Sequence, residues 1–226
     1  MATIGDNLQA VKARMARAAE KTGRDPAALV LLAVSKGQPA ARIEEARLAG
    51  QTAFGENYVQ EAAAKMDGLP ALEWHLIGPL QSNKTRTVAE RFDWVQTVAS
   101  EKIARRLSDQ RPARLAPLNV LIQVNASGEA SKGGVRSAEA AALARAISSL
   151  RGLRLRGLMA IPEPGAPQER FHEVRVLYET MKDEFRFDTL SMGMSDDLEL
   201  AIAEGATLVR VGTAIFGART TVRSAA

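Results

Sequence analysis

From one end to the other, the chain alternates short β-branched or apolar runs with longer stretches rich in Ala, Glu and Arg. The runs at 29–34, 52–54, 73–77, 94–97, 118–124, 155–159, 189–192 and 208–211 read as strands, and the stretches between them as helices. Parallel strands need a crossover, usually a helix, so this alternation predicts a parallel sheet covered by helices. Eight such units in 226 residues predict an α/β fold of the TIM (β/α)₈ barrel type, whose usual length is about 250 residues. An open doubly wound sheet is the competitor, but no G-x-G-x-x-G follows the first strand and no composition break marks a second domain. One barrel domain over residues 1–226 is expected.

Ahead of the first strand, Ile4, Leu8, Val11 and Met15 fall at helical spacing, which predicts an extra amphipathic N-terminal helix. Asp6 and Glu20 argue against a transit peptide there. The net charge of +4 comes from basic and acidic residues that are interspersed, so no nucleic-acid footprint is expected. The chain has no cysteine, and its two histidines, His75 and His172, are far apart; disulfides, thiolate nucleophiles and zinc sites are not expected. No run of about 18 apolar residues exists to span a membrane, and the cytoplasm is the expected compartment.

In a barrel, chemistry sits at the C-terminal ends of the strands. The first strand, "LVLLAVSK", ends in Lys36, a side chain that tolerates burial poorly unless paired. The second ends in "FGENYVQE", where Gly55 permits a tight turn and Glu56, Asn57 and Tyr58 project as a helix begins. The third carries His75, then Gly78-Pro79 and Ser82 or Asn83 as a helix N-cap. The fifth delivers Gln123 and Asn125. The seventh runs into "LSMGMSDDLELAI", offering Ser191, Gly193, Met194 and Ser195, and the eighth into "LVRVGTAIFGAR", with Arg210, Gly212 and Thr213.

Loops after strands seven and eight, with the N-terminus of a short helix, recur as phosphate sites in barrels, because free N–H groups and the helix dipole favour an anion. Gly212 has no Cβ to hold a phosphate away, and Ser195 and Thr213 add hydroxyl donors. Plainer readings stand beside these: Ser195 as a helix cap, His75 as a satisfied core histidine, Asn125 as a turn residue and Lys36 as a solvated lysine. Arg210, between Val209 and Val211, must find an anion, a ring nitrogen or carbonyl acceptors within the barrel mouth. A partly desolvated lysine is a usable amine nucleophile. Opposite a phosphate cradle, it suits either Schiff-base chemistry on a phosphosugar or pyridoxal phosphate.

The segments "AVSK", "FGENYVQE", "WHLIGPLQSNKTR", "QVNASGEASKGGV", "GLMAIP", "LSMGMSDDLELAI" and "VRVGTAIFGAR" together resemble the pyridoxal phosphate homeostasis protein family. That family is similar to the barrel half of bacterial alanine racemase. The resemblance implies pyridoxal 5'-phosphate as cofactor, held as a Schiff base on Lys36. It implies that Ser195 with the backbone around Gly212 and Thr213 binds the phosphate, that Met194 is a further cofactor-binding residue, that Asn57 lies near the ring, and that Arg210 faces the pyridine nitrogen. Departures from the family are Gly37-Gln38 after the lysine and a C-terminal tail, "TTVRSAA", without lysine; they count against a secondary cofactor site built from extra lysines. The resemblance implies a monomeric carrier that hands the cofactor to apo-enzymes. Racemases in the related family take a second base, a tyrosine, from a further domain, and only Tyr58 and Tyr178 exist here. An amino-acid racemase or related enzyme is the alternative.

Overall fold

Eight parallel strands close on themselves in chain order: β1 (Val30–Val34), β2 (Ala53–Glu56), β3 (Glu73–Leu76), β4 (Trp94–Val98), β5 (Leu118–Val124), β6 (Leu153–Ala160), β7 (Thr189–Ser191) and β8 (Leu208–Val211). The structure is a computed structural model that describes residues 2–69, 72–126, 133–163 and 165–217. Parts of the expected loops at 125–134 and 161–167, and the tail from 218 on, lie outside the described residues. Ring closure is made by β1 and β8, with Leu32 opposite Arg210. The expected (β/α)₈ barrel is therefore the fold.

Helices α1 (Ile4–Lys21), α2 (Ala40–Leu48), α3 (Val59–Met66), α4 (Thr85–Arg91), α5 (Glu101–Gln110), α6 (Ser137–Ser148), α7 (Gln168–Phe185), α8 (Leu198–Ala203) and α9 (Thr213–Phe216) account for the intervening sequence. Helix α1 is the expected extra helix, and its four apolar residues at helical spacing are all buried. It starts with a capping box, in which Thr3 Oγ1 accepts from Asp6 N–H and the Asp6 carboxylate accepts from Thr3 N–H. It packs on α2, α8 and α9. None of the helices among the described residues is long and apolar enough to cross a membrane.

Three expectations need correction. Strand β2 runs on through Gly55 and Glu56 instead of turning at Phe54. A Cβ at position 55 would lie 3.0 Å from Leu32 and 3.1 Å from Ile77, so the glycine makes room inside the barrel and does not mark a turn. Strand β6 begins at Leu153, two residues early, because Leu153 and Arg154 pair with Leu118 and Asn119 of β5. Neither Ser82 nor Asn83 caps α4. They form a 3₁₀ turn, and the Ser82 carbonyl accepts from Thr85 Oγ1.

The interior is not uniformly apolar. Leu32, Ala53, Ile77 and Leu208 form one small cluster, and Trp94, Leu121 and Met159 form another. Both are separate from the large core between strands and helices. Fully buried polar side chains of the inner strands, His75, Gln96 and Ser191, run alongside these clusters and bond to one another.

Candidate functional site at the barrel mouth

A cavity of about 520 Å³ opens at the C-terminal ends of the strands. It is lined by Lys36, Asn57, Met194, Ser195, Arg210, Gly212 and Thr213 among others. Segments 15 to 137 residues apart in sequence thus line one cavity, because each belongs to a different strand end of the closed ring.

Lys36 lies two residues beyond β1, in a turn fastened on both sides. The Lys65 ammonium, on α3, donates to the Ser35 carbonyl at 2.8 Å, to Glu56 Oε1 at 2.6 Å and to Glu61 Oε1 at 2.7 Å. Ser35 Oγ donates to Glu56 Oε1 at 2.6 Å, and Gly37 N–H donates to Glu61 Oε1 at 2.6 Å. Glu56 therefore does not project into the mouth. It is fully buried beneath the turn, where burial pushes its carboxyl up against the pull of the Lys65 ammonium. Tyr58 is exposed, so of that trio only Asn57 reaches the cavity.

Asn57 is set by a glycine. A Cβ on Gly78 would lie 2.2 Å from the Asn57 carbonyl oxygen, so only glycine lets the turn after β3 pass this close. Among the described residues, the buried Asn57 Oδ1 has no hydrogen-bond partner, an unusual condition for a native polar atom that points to a missing donor. On the opposite wall, Gly193 adopts φ +93°, and its carbonyl accepts from Arg210 N–H at 3.0 Å. Ser195 does not cap α8. The residue before that helix is Asp197, whose Oδ1 accepts from Met194 N–H, leaving the Ser195 side chain to the cavity. The Thr213 and Ala214 N–H groups open α9, where helix geometry supplies no acceptor.

Arg210 is 4% exposed. Its Nη1 donates to the Ser191 hydroxyl at 2.7 Å, an acceptor not foreseen, and its Nη2 to the Ala160 carbonyl at 2.8 Å, one of the kinds foreseen for it. Among the described residues it pairs with no carboxylate, and burial pulls its guanidinium down to about 10, still a cation at neutral pH. His75 is the satisfied core histidine: its Nε2 lies 2.8 Å from Glu73 and its Nδ1 2.9 Å from Gln96, and burial holds the imidazole below the usual histidine range. Gln123 and Asn125 line a neighbouring cavity of about 550 Å³ that shares Asn57, Ile77 and Ile161 with the first.

Sequence reasoning missed Arg14 and the Lys65 cluster. Arg14 lines the cavity from α1, bonded to the Ser195 carbonyl at 3.0 Å and to Glu199; no local pattern shows that this helix reaches the mouth. The Glu61–Lys65 pair did carry a signal, its i,i+4 spacing on a helix.

A buried cation, a lysine and a hydroxyl-bearing loop pair at the mouth of a closed barrel define a class of cofactor-binding barrel. Residues 7–220 match the family model described as alanine racemase, N-terminal domain. A pyridoxal phosphate homeostasis protein of Pseudomonas aeruginosa is 58% identical over 97% of both chains. A crystal structure of an unknown protein from Bifidobacterium adolescentis is 38% identical, covering 94% of both chains with a TM-score of 0.88. PipY of Synechococcus elongatus, solved with PLP bound, is 40% identical with a TM-score of 0.77, over 90% of this chain and 100% of that one. The chain belongs to the alanine racemase N-terminal domain family and, within it, to the pyridoxal phosphate homeostasis proteins.

Proposed function

We propose that this chain binds pyridoxal 5'-phosphate at the barrel mouth, with Lys36 as the covalent attachment point, and that it holds and hands on the cofactor as a monomer in the cytoplasm. The observation that carries the reading is the convergence of Lys36, Asn57, Ser195, Arg210, Gly212 and Thr213 on one cavity. The residues fit the group. The orphaned Asn57 Oδ1 asks for a donor, and a buried guanidinium bonded to neutral acceptors can face a ring nitrogen. The loops at Ser195 and Thr213 offer hydroxyl and N–H donors to a phosphate, with Arg14 beside them adding positive charge.

When bound, pyridoxal phosphate supplies an aldehyde that condenses with an amine and a ring that draws electrons from the attached carbon. The chain's own residues limit the second property. Arg210, a cation at neutral pH, opposes protonation of a ring nitrogen set against it, which weakens the ring as an electron sink. Nor does a second base face Lys36 from the tyrosines: Tyr58 stands exposed outside the cavity, and Tyr178 is buried on α7 against Phe187, its hydroxyl pushed up to about 12 by burial. His75 is committed to Glu73 and Gln96, and His172 to Glu204. These placements favour a carrier that passes the cofactor to apo-enzymes over a racemase.

The test is to incubate the PLP-loaded protein with L-alanine and other L-amino acids in deuterated water and follow exchange of the α-proton. The carrier reading expects exchange far below ordinary enzyme turnover. A rate near the median enzyme value of about 10 s⁻¹ overturns it.

A further inference from the structure

A column of hydrogen bonds crosses the inside of the barrel, from the cavity to the opposite end. Arg210 Nη1 donates to Ser191 Oγ at 2.7 Å, and Ser191 Oγ donates to Gln96 Oε1 at 2.7 Å. Gln96 Nε2 lies 2.9 Å from His75 Nδ1, and His75 Nε2 lies 2.8 Å from Glu73 Oε1. Ser191, Gln96 and His75 are all 0% exposed, whereas the Glu73 side chain is 47% exposed. Glu73 opens onto a groove at the N-terminal end of the barrel, lined also by Lys12, Gln51 and Thr52.

Donor chemistry allows one direction only. A guanidinium has no acceptor, so Ser191 Oγ must accept from Arg210 and pass its single proton to Gln96 Oε1. The Gln96 amide nitrogen then faces His75 Nδ1 and can only donate, which places the imidazole proton on Nε2, against the Glu73 carboxylate. Turning the amide over fails. Ser191 Oγ would meet two donors, and a neutral His75 would present a bare Nε2 to a carboxylate. The stack of His75 on Trp94, with ring centroids 5.0 Å apart and planes 7° from parallel, holds the imidazole plane. Every dipole in the column turns its negative end toward Arg210 and its positive end toward Glu73, so the neutral links stabilise both terminal charges.

We propose that Ser191, Gln96, His75 and Glu73 act as one positioning relay for Arg210. They fix the guanidinium from below and tie it through hydrogen bonds to Glu73 at the far end of the barrel, in addition to the favourable charge of Asp197 on the cavity side, so that its orientation in the cavity depends on a carboxylate at the opposite face. The relay rests on the proposed function only for the identity of the group that Arg210 meets. None of the four touches that group.

The test uses the full chain and two readings. In the PLP-free protein, ¹⁵N NMR of the imidazole reports which nitrogen carries the proton. The relay expects protonated Nε2 and bare Nδ1 in the wild type, a shifted or averaged pattern in Glu73→Leu, and restoration in Glu73→Gln, which keeps an acceptor oxygen. In titrations with PLP, Glu73→Leu is expected to bind at least threefold more weakly, with Glu73→Gln recovering most of the loss. Ser191→Ala, with Ser191→Thr as its rescue, repeats both readings from the other end should the Leu variant misfold. Wild-type His75 protonated on Nδ1, or PLP affinity and imidazole signals unchanged in Glu73→Leu, would overturn the relay. A wild type that bound no PLP would remove the proposed function, while the NMR reading would still decide the relay.

Discussion

The Lys65 ammonium lies 2.8 Å from the carbonyl oxygen of Ser35, the residue just before Lys36. A cation seven per cent exposed thus holds the backbone of the turn that presents the lysine to the cavity. Its second and third bonds, to Glu56 and Glu61, bring two carboxylates to the same turn. Lys65→Met leaves Glu56 buried without its partner, a change that typically costs about 3–5 kcal/mol. Urea unfolding should show a loss in that range together with weaker PLP binding. The double variant Lys65→Met/Glu56→Met should recover much of the stability but not the affinity, since the Ser35 carbonyl keeps its bond from Gln38 N–H and still lacks the ammonium that ties the turn to α3.

Acid should weaken the fold through His75. Burial holds its imidazole below the usual histidine range, whereas in the unfolded chain it takes up a proton near the ordinary histidine value of 6.5. Its contribution is therefore complete above about pH 6.5 and is lost as pH falls, at up to about 1.4 kcal/mol per pH unit. The hydrogen bond from His75 holds Glu73 below the usual carboxylate range, which adds loss of the same sign at lower pH. Buried Glu56, pushed up, works the other way from its raised value downward. The histidine's share is therefore the difference between wild type and His75→Gln, which should lose less stability in urea unfolding between pH 6.5 and 5.

Gly193→Ala should damage the phosphate side of the cavity. The residue sits at φ +93°, and a Cβ there would stand 2.4 Å from Ala201 Cβ. The backbone conformation alone costs about 1–3 kcal/mol for a residue with a side chain, and the clash forces the Met194–Ser195 loop away from Arg210. Thermal unfolding should show the loss, and PLP titration should show weaker binding.

Asn57→Ala should separate binding from folding. Asn57 Oδ1 has no partner among the described residues in its buried position, so removing it should leave stability unchanged or slightly raised. PLP affinity should fall. A large stability loss without an affinity change would assign Asn57 to the scaffold.

Most of the fold was legible because barrel strands carry a local signal, an apolar run followed by a helical stretch. Leu29 to Val34 and Leu208 to Val211 are read this way with little error. Errors fell where a residue's role is set by its neighbours across the ring. Gly55 reads as a turn but makes space for Leu32 and Ile77. Leu153 and Arg154 were left outside the sixth strand but begin β6, because Leu118 and Asn119 of β5 pair with them. The cavity residues were legible from their places at strand ends. Arg14 and the His75–Gln96–Ser191 column were not, since contacts between residues 19 to 181 positions apart leave no mark in spacing.

The most direct test of the account is to trap the bound cofactor with borohydride, digest the protein and find the labelled peptide by mass spectrometry. The account predicts the label on Lys36, and the loss of both label and visible absorbance in Lys36→Ala with the fold retained. A label on any other lysine, or a visible band that survives in Lys36→Ala, would contradict it.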